Sequence, residues 1–266
     1  MAAIRDTIKA GSGMVSTTPG ITRTLLWQTA SLPRALPLGE VHLWAWTFGG
    51  ADAPSDRDLS ILDPHERQRT ARFRFPVDQI RYAVCHANMR RILGSYLGRS
   101  PESLAFREGS GGKPSLADEA SLLRFNLSHS KTLAVLAVAL DMDVGVDVED
   151  IRPIESDVAK RFFSPREVAS LATLEGPESW SAWLDGFYRC WTRKEAILKA
   201  EGAGLRTPLD SFDVSLLPDE PAALLDARPE AKLTANWHLV HFSPADGVMG
   251  AVAVGNPSAT VALYSL

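Results

Sequence analysis

Apolar residues recur along this chain with two periods, every second position in some stretches and every third or fourth in others, which separates strands from helices. Residues 41–48, VHLWAWTF, alternate and predict a half-buried strand, where ordered structure is expected to begin. Asp63, Pro64 and Glu66 then supply an N-cap, a proline suited to a first helical turn and an N3 carboxylate, so a helix should start at Asp63. A second helix over about 78–97 is marked by Tyr82, Cys85, Met89, Ile92, Leu93 and Tyr96, spaced three and four apart. The same start signal returns about a hundred residues later as Ser164, Pro165 and Glu167, followed by a Pro-containing break and a longer helix over 181–201. Strands are expected at 124–127, 133–140, 143–149, 237–242 and 248–254.

This pattern repeats a capped helix, a second helix and flanking strands, which is a weak internal duplication. Strands fall in runs without strict βαβ alternation, so the fold class is α+β, built as two similar α/β halves. Residues 1–39 hold scattered Gly, Ser, Thr and Pro and read as an extension whose first part is mobile; 40–142 form the N-terminal half and 143–266 the C-terminal half.

Composition narrows the function classes. With 45% hydrophobic and 23% charged residues in 266, the chain is an ordinary soluble globular protein, not a fibrous or disordered one. The longest apolar run, 133–140, is far short of the roughly 20 residues of a membrane span, and reads as a buried strand. Arg5, Asp6 and Lys9 interrupt any apolar signal-peptide core, which places the protein in the cytoplasm. Cys85 and Cys190 have no close-spaced partners, so they read as buried thiols. A net charge of −4 argues against nucleic acid. Even so, seven arginines between Arg67 and Arg91 make one segment basic, and a local anionic ligand fits it.

Three segments carry candidate chemistry. In DVGVDVED a strand puts Asp147 and Glu149 on one face and Val144, Val146 and Val148 on the other. Two carboxylates on one face repel, and they persist if solvated, paired with cations or bound to a metal such as Mg²⁺; the polar side of an edge strand explains them as well. In FYRCWTRKEAILKA the apolar face is centred near Phe187, and Lys194 falls almost on its axis, so that cation needs a partner. Glu195 lies near the edge of that face, four residues before Lys199, which an exposed Glu–Lys pair would also explain. In FNLSHS, Ser128 and His129 follow a short strand. They lack a nucleophile elbow, which disfavours hydrolysis, and could donate to phosphate or serve as a structural turn. Gly109, Gly111 and Gly112 before Lys113 and Pro114 make a flexible loop with one cation, not a P-loop.

Together these residues resemble the 4′-phosphopantetheinyl transferases, of the larger surfactin-synthetase-activating type. The match runs from about residue 64 to 212, in order: GKP at 112–114, FNLSHS at 125–130, GVDVE at 145–149, RFFSPRE at 161–167 and WTRKEAILKAEGAGL at 191–205. The resemblance implies two halves related by a pseudo-twofold axis, and transfer of the phosphopantetheine arm of coenzyme A to a serine of an apo acyl or peptidyl carrier protein, releasing adenosine 3′,5′-bisphosphate. It assigns Asp147, Glu149 and Glu195 to Mg²⁺, with Mn²⁺ as a substitute. Glu195 becomes the general base, and Lys199 the contact to phosphate. Ser128 and His129 hold the coenzyme A phosphates, Lys113 and Pro114 lie at the adenine, and Arg69 and Arg81 bind the 3′-phosphate. One departure stands out, since Glu66 occupies a usually basic position, so 3′-phosphate recognition rests on fewer cations. The resemblance also implies a monomer, with carriers of fatty-acid, polyketide, nonribosomal-peptide or lysine-reduction pathways all compatible. A noncatalytic module binding coenzyme A or a carrier protein is the rival; the presence of all three carboxylates and the lysine weighs against it.

Overall fold

The computed structural model describes residues 12–16, 22–32, 35–50, 53–109, 111–174, 180–202, 207–234 and 236–266. The mobility expected at the start of the chain falls on residues 1–11, outside the described residues. β1 (Ser12–Ser16) and β2 (Thr22–Leu26) pair antiparallel. Trp27 is buried against Phe242, with ring centroids 6.1 Å apart, and β3 (Gln28–Thr29) joins a sheet edge in parallel. Order thus begins before Val41, contrary to the expectation from sequence. One indole with a large apolar surface anchors a stretch that has no periodicity.

β4 (Glu40–Thr47) leads to α1 (Asp56–Ile61), α2 (Pro64–Arg72) and α3 (Pro76–Leu97), then to the short hairpin of β5 (Phe106–Glu108) and β6 (Pro114–Leu116). β7 (Leu123–His129), β8 (Leu133–Leu140) and β9 (Val144–Asp150) follow. After them come α4 (Asp157–Phe162), α5 (Pro165–Ala172) and α6 (Trp180–Glu201). β10 (Phe212–Val214) pairs with β11 (Leu224–Ala227), and β12 (His238–Phe242), β13 (Val248–Val254) and β14 (Thr260–Ser265) close the chain of elements. Among the described residues no helix is long and apolar enough to cross a membrane.

Two sheets form the middle of the molecule, one in the order β3-β14-β4-β8-β7 and one in the order β12-β13-β9. Their inner faces meet through Val41, Leu43, Val135, Val146, Phe242 and Val252. On the outer face of the first sheet, Trp44, Trp46, Leu136 and Val138 pack with Met89 and Ile92 of α3. On the outer face of the second, Met249, Ala251 and Ala253 pack with Phe187, Ala196 and Ile197 of α6. The layers therefore run helix, sheet, sheet, helix, within the mixed α+β class. β4 is buried on both faces, not one, because α3 covers the side that carries His42, Trp44 and Trp46. The division expected at residue 142/143 falls between β8 and β9, while β14 lies in the first sheet, parallel to β4.

The repetition read from the two start signals recurs in three dimensions. Asp63 and Ser164 both cap through full capping boxes. In each, the N3 glutamate is buried and bound to a cation of the long helix that follows. Glu66 accepts from Arg90 Nε at 2.7 Å, and Glu167 pairs with Lys194 Nζ at 2.9 Å. Glu66 also bonds His86 at 2.8 Å, so its carboxylate is engaged inside the first half.

Candidate active site

The site forms where β7, β9 and α6 converge. α6 can lie directly on β9 because residue 145 is glycine: a Cβ there would come within 2.1 Å of the Ala196 carbonyl oxygen and 2.3 Å of the Ala200 nitrogen. This close approach brings Glu195 and Lys199 of α6 over Asp147 and Glu149 of β9. Val144, Val146 and Val148 turn into the core between the sheets, as strand alternation requires.

β9 and β7 are edge strands of different sheets, and among the described residues no backbone ladder joins them. Side chains stand in for it. Val146 N donates to Asn126 Oδ1 at 2.8 Å, and Val148 N donates to Ser128 Oγ at 3.3 Å. Ser128 Oγ donates to Asp147 Oδ1 at 3.1 Å, while Lys199 Nζ donates to Asp147 Oδ1 at 2.6 Å and to Ser128 Oγ at 2.9 Å. Lys199 is thus paired with Asp147, and the exposed Glu195–Lys199 pair is not what forms. Lys194 is fully buried and finds its partner in Glu167.

A hollow of about 330 Å³ lies among Leu127, Ser128, Asp147, Trp191, Glu195 and Lys199. It adjoins a second, of about 280 Å³, through His129 and Glu149, where Arg81, Lys131 and Arg152 share the walls with Tyr82, Asp78 and Asp150, and Arg81 pairs with Asp78 at 3.3 Å. Phe73 links this to a third hollow edged by His65, Arg69 and Arg72. The groove therefore runs from an acidic end with one lysine, through a middle of mixed charge, to a basic end at Arg69 and Arg72. It gathers all the sequence-selected residues except Lys113 and Pro114. Lys113 Nζ instead donates to the carbonyls of Val144 and Ala200, both at 2.9 Å, and burial lowers its pKa. It clasps the glycine-rich hairpin to the C-terminal end of α6, where a cation also suits the helix dipole. Pro114 begins β6.

Burial pushes the Glu149 carboxyl up to about 7, with the neighbouring Asp147 charge adding to the rise. Glu195 is raised in the same way, by burial and then by Asp147. Asp147 Oδ2 is buried without a hydrogen-bond partner. Three carboxylates that repel, one with an orphaned oxygen, suit a hard divalent cation that takes a few carboxylates and completes its shell with water and phosphate oxygens. Among the described residues, no three His, Cys, Asp or Glu side chains already converge as a metal cage. His129 is held below its usual pKa, first by burial and then by Lys199 and Arg81.

Sequence patterns overlooked several wall residues. Tyr82 reads as one apolar position of a helix, yet it stacks on His86 at 4.0 Å and lies under Arg69, 5.6 Å from ring centroid to guanidinium carbon. An aromatic beside Arg81 in a basic helix was the available signal. Trp191 hides in the apolar face of α6 in the same manner.

Two family models match the chain. One, described as the 4′-phosphopantetheinyl transferase superfamily, covers residues 143–253, and the other, 4′-phosphopantetheinyl transferase, N-terminal, covers 52–141. The 4′-phosphopantetheinyl transferase HetI of Nostoc is 38% identical over 220 residues, spanning 81% of this chain and 87% of HetI. The chain belongs to the 4′-phosphopantetheinyl transferase superfamily. Sfp of Bacillus subtilis is 32% identical over 62% of this chain and 71% of its own length. An L-aminoadipate-semialdehyde dehydrogenase-phosphopantetheinyl transferase of rat is 28% identical over 68% and 63%. The boundary between the two transferase family models falls at residues 141 and 143, between β8 and β9, where the acidic strand of this transferase begins.

Proposed function

We propose that the groove is the reaction centre of a Mg²⁺-dependent 4′-phosphopantetheinyl transferase, which moves the phosphopantetheine arm of coenzyme A to a serine of an apo carrier protein. The observation that carries this reading is the meeting of Asp147, Glu149, Glu195 and Lys199 at one end of a groove that passes His129 and Arg81 to reach Arg69 at the other. Such polarity suits a pyrophosphate held at the acidic end and a 3′-phosphate at the basic end. The rival reading, a noncatalytic binding module, is not favoured, because relatives across the chain are named as transferases.

Asp147, Glu149 and Glu195 would hold Mg²⁺, or Mn²⁺, whose charge would offset that of the pyrophosphate. Ser128 and His129 donate to the phosphates, and binding an anion returns His129 toward its protonated form. Glu195, made more basic by burial and by Asp147, accepts the proton of the carrier serine. The serine oxygen then forms its bond to the β-phosphorus as the bridging bond to the 5′-phosphate breaks, and the electron pair leaves with adenosine 3′,5′-bisphosphate. Lys199 sits where charge builds on the phosphate oxygens and stabilises it. Arg69 and Arg81 orient the 3′-phosphate. Lys113 acts on this route by fastening the hairpin, with Pro114 and the adenine near it.

The partners are coenzyme A and a carrier protein; a monomer in the cytoplasm goes with this reading, and neither nucleic acid nor membrane takes part. Mass spectrometry of apo carrier proteins incubated with coenzyme A tests it. Mg²⁺ should give the mass gain of the arm, and excess chelator should abolish it. Full turnover in chelator would sink the metal assignment, and no gain on any carrier would sink the transfer.

A further inference from the structure

The seam between β7 and β9 has three rungs at a constant offset of 20 residues: Asn126 with Val146, Ser128 with Val148, and Ser130 with Asp150. The first two end on backbone N–H groups, and the second also donates to the Asp147 carboxylate. The third ends on a carboxylate that takes three donors from a single turn. Ser130 Oγ donates to Asp150 Oδ1 at 2.8 Å, Thr132 Oγ1 donates to the same oxygen at 2.5 Å, and Lys131 N donates to Oδ2 at 2.9 Å. The turn that leaves β7 is thereby tied to the last residue of β9. His129 immediately precedes this turn, and Glu149 immediately precedes Asp150. The two residues border both hollows of the groove.

We propose that Asp150 is a positioning residue, which fixes the gap between the phosphate-binding side of the groove at Ser128 and His129 and its acidic side at Asp147 and Glu149. The inference rests on the transfer reading for the identity of what spans the gap. Among the described residues no backbone ladder holds the two strands in register, so beyond the core packed between the sheets these side-chain rungs set the local spacing. Bonds to a carboxylate are charge-assisted, and Asp150 gathers three of them where the Ser128 rung makes one. Asp150 and Ser130 also line the second hollow, but both carboxylate oxygens of Asp150 are engaged by the turn, so its effect on substrate passes through that turn. Released from it, the turn can shift, and a misplacement of about 1 Å at a reacting group can cost on the order of 10²-fold.

The test compares wild type, Asp150→Ala, Ser130→Ala/Thr132→Val and the triple variant. Coenzyme A dissociation is measured by calorimetry with Mg²⁺, beside kcat/KM for coenzyme A and the unfolding midpoint. Asp150→Ala should raise the dissociation constant about tenfold and lower kcat/KM by about 10- to 100-fold. The hydroxyl variant should move both in the same direction, and the triple variant should be no worse than Asp150→Ala, since all three remove one junction. Unchanged coenzyme A constants in folded Asp150→Ala, with only a lower midpoint, would overturn the proposal in favour of a purely structural residue. A wild-type hydroxyl variant would also overturn it, by assigning the effect to charge next to Glu149. If Asp150→Ala does not fold, the hydroxyl variant decides alone by the same two constants. Should the wild type bind coenzyme A but modify no carrier, the transfer reading fails, while the binding comparison still judges Asp150.

Discussion

Replacing Lys194 by methionine should destabilise the protein far more than removing an ordinary lysine, and the reason is countable. The ammonium is fully buried. It pairs with Glu167 at 2.9 Å, donates to the carbonyls of Leu209 at 2.6 Å and Phe212 at 2.5 Å, and sits 4.4 Å from the Phe212 ring centroid. Methionine keeps the apolar stem and removes the charge. Glu167, itself 2% exposed at its side chain, then keeps the donors at Ser164 N and Val214 N and the Cys190 thiol, none of them charged, for a buried negative charge. Breaking a buried pair from one side costs about 3–5 kcal/mol, most of it the penalty on the partner left behind. Urea unfolding followed by circular dichroism should show that loss for Lys194→Met. Lys194→Met/Glu167→Gln removes both charges and should recover about 2 kcal/mol or more of it, a coupling that a double-mutant cycle reads directly. A single-variant loss below about 1 kcal/mol, of the size seen for exposed pairs, would refute the reasoning, as would strict additivity in the cycle.

The other expectations concern chemistry and pH. Glu195→Gln keeps size and one oxygen but loses basicity, so single-turnover transfer should fall about 10²- to 10⁴-fold while coenzyme A affinity changes little; a near wild-type rate would remove Glu195 from the proton transfer. Arg81→Ala should weaken coenzyme A binding more than dephospho-coenzyme A binding, and equal losses in calorimetry would break its link to the 3′-phosphate. Burial holds His241 down to about 3, with Arg193 and Arg189 opposing its charge, and its Nδ1 is buried without a partner. The unfolded chain therefore binds a proton that the folded one refuses. Stability from this group is present above pH 6.5 and falls by up to about 1.4 kcal/mol per pH unit between 6.5 and 3. His241→Leu should flatten that slope in denaturation series at pH 7.5, 6.0 and 5.0, and an unchanged slope would count against it.

Local chemistry was legible in the sequence wherever a few neighbouring residues determine it. Both capping boxes, the strand 133–140 and the opposed faces of β9 follow from spacing alone, and all appear as read. Lys194 announced that it needed a partner, but nothing local could identify Glu167, which reaches it from the start of another helix. The same limit hid the pairing of Lys199 with Asp147 and the clasp formed by Lys113. α1 and α4 are six residues each, too short for a helical period to register. The alternation of β4 suggested one wet face, because sequence cannot say that α3 lies across it. β14 escaped for another reason, since a parallel strand arrives without the turn signal that marks a hairpin.

That parallel strand also shapes how the molecule must come into being. β4 lies between β8 and β14, and its pairing joins Glu40 to Thr260. At about 5–20 residues per second, a ribosome needs roughly 10–40 s to make the stretch between them. Throughout that interval an apolar strand has one edge bare, which is the kind of surface that recruits the wrong neighbour. Pairings between segments so far apart in sequence form slowly. The first sheet cannot be completed as it emerges, so its assembly waits on the second half, and a holdase that shields β4 during translation should raise the yield of folded protein more than one added to the finished chain.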